Sequence, residues 1–450
     1  MIKSKFLLSA VPFMAVGSLF SLTACSKTYD LIIYNWEDYI YEGADETGRI
    51  VEDGTVKSFE KFYKEKYGKS IHVAYETFST NEDMYAQLKL GAIKPDLICP
   101  SDYMIQKMAN DGMLQPFSYD EASDTYGESL SNWADYGSPF IHDRFASAKL
   151  NNGQSFLNYA VPYFWGTMGF TYDVNYFSEK APSVDLNSWS CLLTDVSAVP
   201  GAKEVFTLKD SVRDTYAAGI FLAYKDEIAA LEPYFNDDDY NDKLSAIFNR
   251  CDAEAISKVE TILKGVIGKT VLGLEVDTGK TDIVNGEIKA NLAWSGDSVA
   301  SMDNAEGKLQ LNYALPKEGS NVWFDGWCMP KDARKEIAEE FVNFICSPEQ
   351  AALCMDAVGY TSPIVGEDIW ELVNDWYSAD EGVEADDVDL SFYFGDSIEG
   401  EAVISVPTSE RGRQFDAQYP TEEALKRCCI MKDFGDQQEE VDKMWNRIFA

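Results

Sequence analysis

The sequence predicts an α/β fold with a mainly parallel sheet, divided into two domains. Short apolar runs alternate with amphipathic helical stretches over residues 31–99, and the links between them are short. A chain of 450 residues exceeds the size at which one core keeps growing. A hydrophobic content of 46% is ample for two cores.

The elements follow in order. Leu31 to Tyr34 is a first apolar strand. Residues 54–66 place Val56, Phe59, Phe62 and Tyr63 on one helical face, and Gly68 ends that helix. Residues 70–75 read as a second strand. Residues 81–90 form a helix with Met84, Tyr85 and Leu88 on one side, and Asp96 to Cys99 form a third strand. Tyr159 to Tyr163 and Thr167 to Tyr172 carry little helical pattern and read as extended. So do 203–208 and 291–294, with a helix expected over 211–225 between them. Residues 332–345 form an amphipathic helix. Ser347, Pro348 and Gln350 then supply a cap, a first-turn proline and the third residue of a capping box, and Gly359 closes that next helix. The last helix spans 437–448. Residues 375–400 are strongly acidic and predict an exposed loop.

Lys3 and Lys5, an uncharged apolar stretch over 6–24 and the run Leu22-Thr23-Ala24-Cys25 form a signal-peptide pattern over residues 1–24. The cysteine at the cleavage position resembles a bacterial lipobox, with Cys25 as the lipid-bearing first residue of the mature chain. The formal net charge of −38 repels nucleic acid and anionic membrane alike, and suits a cationic ligand. Nine cysteines are present. Apart from Cys25 most read as small buried hydrophobes, and their spacing reveals no disulfide pairing. His72 and His142 are the only histidines and belong to no cluster, so neither a metal nor a cofactor is expected.

Five stretches resemble the spermidine/putrescine-binding proteins of ABC importers: YNWEDYI at 34–40; ETFSTNEDMYAQLK at 76–89 with DLICPSDYMIQKM at 96–108; YAVPYFWGTMGFTYD at 159–173; NLAWSGD at 291–297; and WFDGWCMPKDA at 323–333, running on to 363. The resemblance implies a two-lobed fold of the periplasmic-binding-protein kind with ligand in the interlobe cleft. One lobe would hold about 28–162 and 325–366. The other would hold about 163–324 and 367–450, with the acidic 375–400 segment as a surface insertion. It also implies a polyamine ligand, spermidine or putrescine, and membrane permease subunits as partners. The membrane would be met through the lipid anchor alone.

A polyamine needs carboxylates at intervals and aromatic faces between them, because a buried unpaired ammonium is costly. The parts on offer are Trp36, Glu37 and Tyr39 after the first strand, and Ser101, Asp102 and Tyr103 after the third. Asp210 and Asp214 follow the strand at 203–208, Trp294 follows the strand at 291–293 with Asp297 three residues on, and Tyr360 follows Gly359. Strand alternation puts Trp323 and Asp325 on one face, which makes them the best local pair. No arginine is read into this constellation, which disfavours an anion. The competing expectations are a binder of the same fold for another cationic or neutral solute, and a lipid-anchored hydrolase. The hydrolase is disfavoured by the absence of GxSxG, Walker and Rossmann signatures.

Overall fold

The computed structural model describes residues 28–44, 49–193, 206–276 and 278–449. The signal sequence and Cys25 therefore lie outside the described residues, as do 203–205 of the expected strand. In chain order the elements that position the site are as follows. The first lobe opens with β1 (Leu31–Trp36), α1 (Thr55–Tyr67), β2 (Val73–Phe78), α2 (Asn81–Lys89), β3 (Leu97–Ile98) and α3 (Asp102–Asn110). The long strand β4 (Ala160–Asp173) follows. Then come β5 (Phe206–Lys209), α4 (Val212–Ala223), β6 (Val271–Glu275), β7 (Ala290–Trp294), α5 (Ser295–Ala305), β8 (Leu311–Ala314) and β9 (Ser320–Pro330). The C-terminal part contributes α6 (Lys335–Ile345), α7 (Pro348–Val358), α8 (Glu367–Tyr377), β10 (Ala385–Asp389), α9 (Ser391–Phe394), β11 (Val403–Pro407), β12 (Cys428–Cys429) and α10 (Gln438–Ile448).

Local signals set the ends of several helices. Gly68 takes φ 68° and Gly359 φ 81°, the left-handed conformation that closes a helix at little cost for glycine. Ser347 accepts from the Gln350 amide at 3.4 Å, which is one half of the capping box. The helix expected from Asp332 starts at Lys335, and the second strand begins three residues later than its apolar run.

One sheet runs through the molecule in the order β2-β1-β3-β9-β4-β7-β5-β6, with β8 beside β4 and β12 beside β9. The β1–β2 and β1–β3 pairs are parallel, as are β5–β6 and β5–β7. The central pair, β4 with β9, is antiparallel. Two large apolar clusters lie along this sheet. Ala160, Val161, Tyr163, Phe164 and Trp165 of β4 belong to the first, whereas Met168 and Phe170 of the same strand belong to the second. The chain is thus a two-lobed α/β protein whose lobes share continuous strands.

The C-terminal region differs from the expected assignment. Ile369, Val373, Tyr377, Phe415, Tyr419 and Leu425 are buried in the first cluster, not the second. The change of core falls between Cys428 and Cys429, where β12 pairs with Ser320 and Asn321. The physical cause is the apolar face of α8, which packs on α7. The acidic 375–400 segment is likewise more than a loop. β10 pairs with β11, and Leu390, Tyr393 and Phe394 are buried, while Asp386, Asp387 and Asp389 face solvent. The acids solvate one side of a hairpin whose aromatic neighbours anchor it. Among the described residues all eight cysteines are free thiols, seven of them buried.

Candidate functional site

The site is built where strands end. After β1 the chain turns through Glu37 and Asp38, and Asp38 takes φ 51°, a conformation that aspartate tolerates better than most residues. The Asn35 side chain holds this turn from inside. Its Oδ1 accepts from the Trp36 amide at 2.9 Å and its Nδ2 donates to the Tyr39 carbonyl at 3.3 Å. Tyr163 donates to the same carbonyl at 2.9 Å. Tyr39 is thereby fixed with its hydroxyl donating to Asp325 Oδ2 at 2.6 Å.

Asp325 sits in β9 immediately before a bulge against β4, and Ser101 bridges to its backbone. It is 6% exposed, and its Oδ1 accepts no hydrogen bond. Among the described residues no lysine or arginine pairs with it. Burial pushes its carboxyl up to about 6, and the hydroxyls of Tyr39 and Ser101 pull in the opposite direction. Trp323 precedes it by two residues and meets Tyr360 edge to face at 5.2 Å, and Tyr360 meets Tyr39 at 5.8 Å. The indole nitrogens of Trp323 and Trp36 are also buried without a partner. Buried polar groups are ordinarily satisfied, and Asp325 Oδ1 and Trp323 Nε1, two residues apart on β9, are not. The rings reach these positions because Gly296 and Gly166 are bare. A Cβ on Gly296 would lie 2.4 Å from the Tyr360 ring, and one on Gly166 would lie 2.6 Å from Trp323.

Asn81 ties Ser101 to Tyr103, donating to their hydroxyls at 3.2 and 3.1 Å. Tyr103 donates onward to Glu82. The opposite side of the site comes from the second lobe. Lys209, at the end of β5, lies among Glu275, Asp297 and the face of Trp294. Asp297 in turn accepts from the Tyr360 hydroxyl at 3.0 Å, which joins the two lobes across the site. Asp214 is buried in the first turn of α4, and burial pushes its carboxyl up.

The family profile of the bacterial extracellular solute-binding proteins matches residues 56–385. The chain belongs to that family. A putrescine-binding periplasmic protein of Pseudomonas aeruginosa is 28% identical over 442 residues, covering 96% of this chain and 95% of its own. A spermidine/putrescine-binding periplasmic protein of Escherichia coli is 25% identical over 357 residues, covering 78% of this chain and 83% of its own. Among solved structures, a putative spermidine/putrescine ABC transporter protein of Listeria monocytogenes superimposes with a TM-score of 0.61 at 22% identity, over 93% of this chain and 98% of that one, a likeness of fold. The role of this binding protein is therefore solute capture outside the cytoplasm. Among the described residues no helix is long and apolar enough to cross a membrane.

Of the residues singled out from the sequence of this binding protein, the structure brings Tyr39, Ser101, Asp297, Trp323, Asp325 and Tyr360 into one connected group. Trp36 is half-buried nearby and packs on Phe78. Glu37 is exposed on the β1 turn. Three more of these residues stand in other settings. Asp102 is a brace: its Oδ1 accepts from the Tyr103 amide at 2.6 Å and its Oδ2 from the Phe324 amide at 3.3 Å. Asp210 is exposed at the end of β5, and the helix cap there is Ser211. Trp294 has its face covered by Lys209. An arginine also belongs to the region. The Arg213 guanidinium lies 3.9 Å over Phe434 and 5.4 Å from the Tyr103 ring, with the charges of Asp102, Asp433 and Asp214 around it. Sequence reasoning missed Lys209, Arg213 and Glu275. The signal available was a lysine closing the short uncharged run Phe206 to Leu208.

Proposed function

We propose that this protein captures a polyamine, putrescine or spermidine, and delivers it to the membrane permease of an ABC importer. The observation that carries the reading is Asp325: a buried carboxylate with one unmatched oxygen and no basic partner, beside the rings of Tyr39, Tyr360 and Trp323. A ligand ammonium supplies the missing counter-charge, and the rings accept its methylenes. The names of the Pseudomonas and Escherichia relatives support the same ligand class. Trp36, Glu37, Ser101, Tyr103 and Asp214 complete the proposed contacts. The deciding experiment is a calorimetric panel on the lipid-free domain with putrescine, spermidine, spermine, arginine and a neutral sugar. Saturable binding of the sugar with no amine binding would sink the reading.

The lobes close on the ligand about the shared strands β4 and β9, in the manner of hinged binding proteins. Small-angle scattering at saturating polyamine is expected to show a smaller radius of gyration than without ligand. An unchanged radius at demonstrated saturation would exclude closure.

Cys25 anchors the mature protein to the membrane through lipid. Cys25→Ser is expected to release it into the soluble fraction. Mass spectrometry of the mature N-terminus checks this directly, since an unmodified terminus at another residue is incompatible with it.

A further inference from the structure

Lys209 is 1% exposed, and an ammonium buried that deeply must find partners. It has four. Its Nζ donates to the Val276 carbonyl at 2.7 Å, pairs with Glu275 Oε1 at 3.2 Å and Asp297 Oδ2 at 3.6 Å, and stands 4.4 Å from the centre of the Trp294 ring. A cation held between two carboxylates on an indole face is the environment that the proposed ligand itself requires. This cage adjoins the ligand site. The other oxygen of Asp297 accepts from Tyr360, which meets Tyr39, which donates to Asp325. One line of contacts thus runs from a carboxylate without a cation to a pair that already has one.

We infer that Lys209 is a built-in cation filling one ammonium subsite of the cleft, so that this protein selects a short diamine over a longer triamine. The inference rests on the polyamine reading above. An additional ligand ammonium reaching the second-lobe end meets a like charge, and finds Glu275 and Asp297 already engaged. The ligand then needs a counter-charge only toward Asp325, which is the end the chain leaves open.

The test is Lys209→Met, which keeps most of the stem and removes the charge. Calorimetry with putrescine and spermidine is expected to show the spermidine-to-putrescine affinity ratio rising at least about tenfold over the parent. Because two uncompensated carboxylates can prevent folding, the double variant Lys209→Met with Glu275→Gln is made alongside. It keeps the net charge of the cage and leaves Asp297 free, and the ratio is expected to rise there too. Millimolar methylammonium is expected to raise the melting midpoint of Lys209→Met by more than it raises that of the parent, in which only the Asp325 subsite is open to it. A parent that binds putrescine while the folded variants keep its ratio overturns this inference alone. A parent that binds neither amine overturns the polyamine reading, and the selectivity falls with it.

Discussion

Asp325→Asn is expected to weaken polyamine binding by more than tenfold while leaving the protein folded. The substitution keeps the side chain's size and an acceptor oxygen for the Tyr39 hydroxyl, now 2.6 Å from Oδ2. It removes the charge that faces the ligand ammonium. Removing one partner of a buried, hydrogen-bonded charge pair costs about 2–5 kcal/mol, and each ~1.4 kcal/mol is tenfold in affinity. The free variant is expected to melt no lower than the parent near neutral pH, because the folded protein holds this carboxylate ionised at a cost. Trp323→Ala is expected to weaken binding less, through lost apolar and cation–π contact. Calorimetry beside a thermal melt checks all three statements. A folded Asp325→Asn protein that binds every polyamine as tightly as the parent would show that the ligand ammonium lies elsewhere.

Affinity is also expected to fall as pH drops through about 6. In the free protein burial pushes the Asp325 carboxyl up to about 6, against the pull of the Tyr39 and Ser101 hydroxyls. For an acid whose folded-state pKa is raised, the charged form is the disfavoured one. The group therefore lowers the stability of the free protein as pH rises from the usual carboxylate range, about 4, through about 6. A bound ammonium reverses this preference and holds the carboxylate ionised. Below about 6 the ligand must displace a proton, so affinity approaches a tenfold loss per pH unit. Above it the profile is flat. Near pH 6 binding is expected to release about half a proton per ligand, measurable by calorimetry in buffers of different ionisation enthalpy. Asp102 and Asp214 are also pushed up by burial, so the control is Asp325→Asn, in which the release should vanish. Proton release unchanged in that variant would assign the titration to those neighbours.

Much of the first-lobe half of the site was legible because it depends on short-range geometry. Trp323 and Asp325 are two apart in an extended strand, so alternation alone puts them on one face. The bulge that breaks the register falls after Asp325 and leaves that inference intact. At Asp102, an acid after a strand carries the same local signal whether it faces a ligand or accepts two backbone amides. Which it does depends on the amide of Phe324, 222 residues away. Lys209 was missed for a similar reason. Its partners Glu275, Asp297 and Trp294 come from three later segments, and no spacing along the chain announces their meeting.

The sequence by itself determined the α/β alternation, the ends of α1 and α7 and the aromatic–carboxylate face of β9, because apolar periodicity, left-handed glycines and strand alternation act within a few residues. Only the tertiary structure decided the rest. The acidic segment became a hairpin because Leu390, Tyr393 and Phe394 found a core to enter, and most of the buried residues from Ile369 to Cys428 joined the first core because α8 found α7, while Met431 to Met444 joined the second. The charge state of the site was decided in the same way. A buried carboxylate stays open to a ligand only if the fold brings it no cation. Here the fold brought Lys209 to Asp297 and Glu275, and brought Asp325 only hydroxyls.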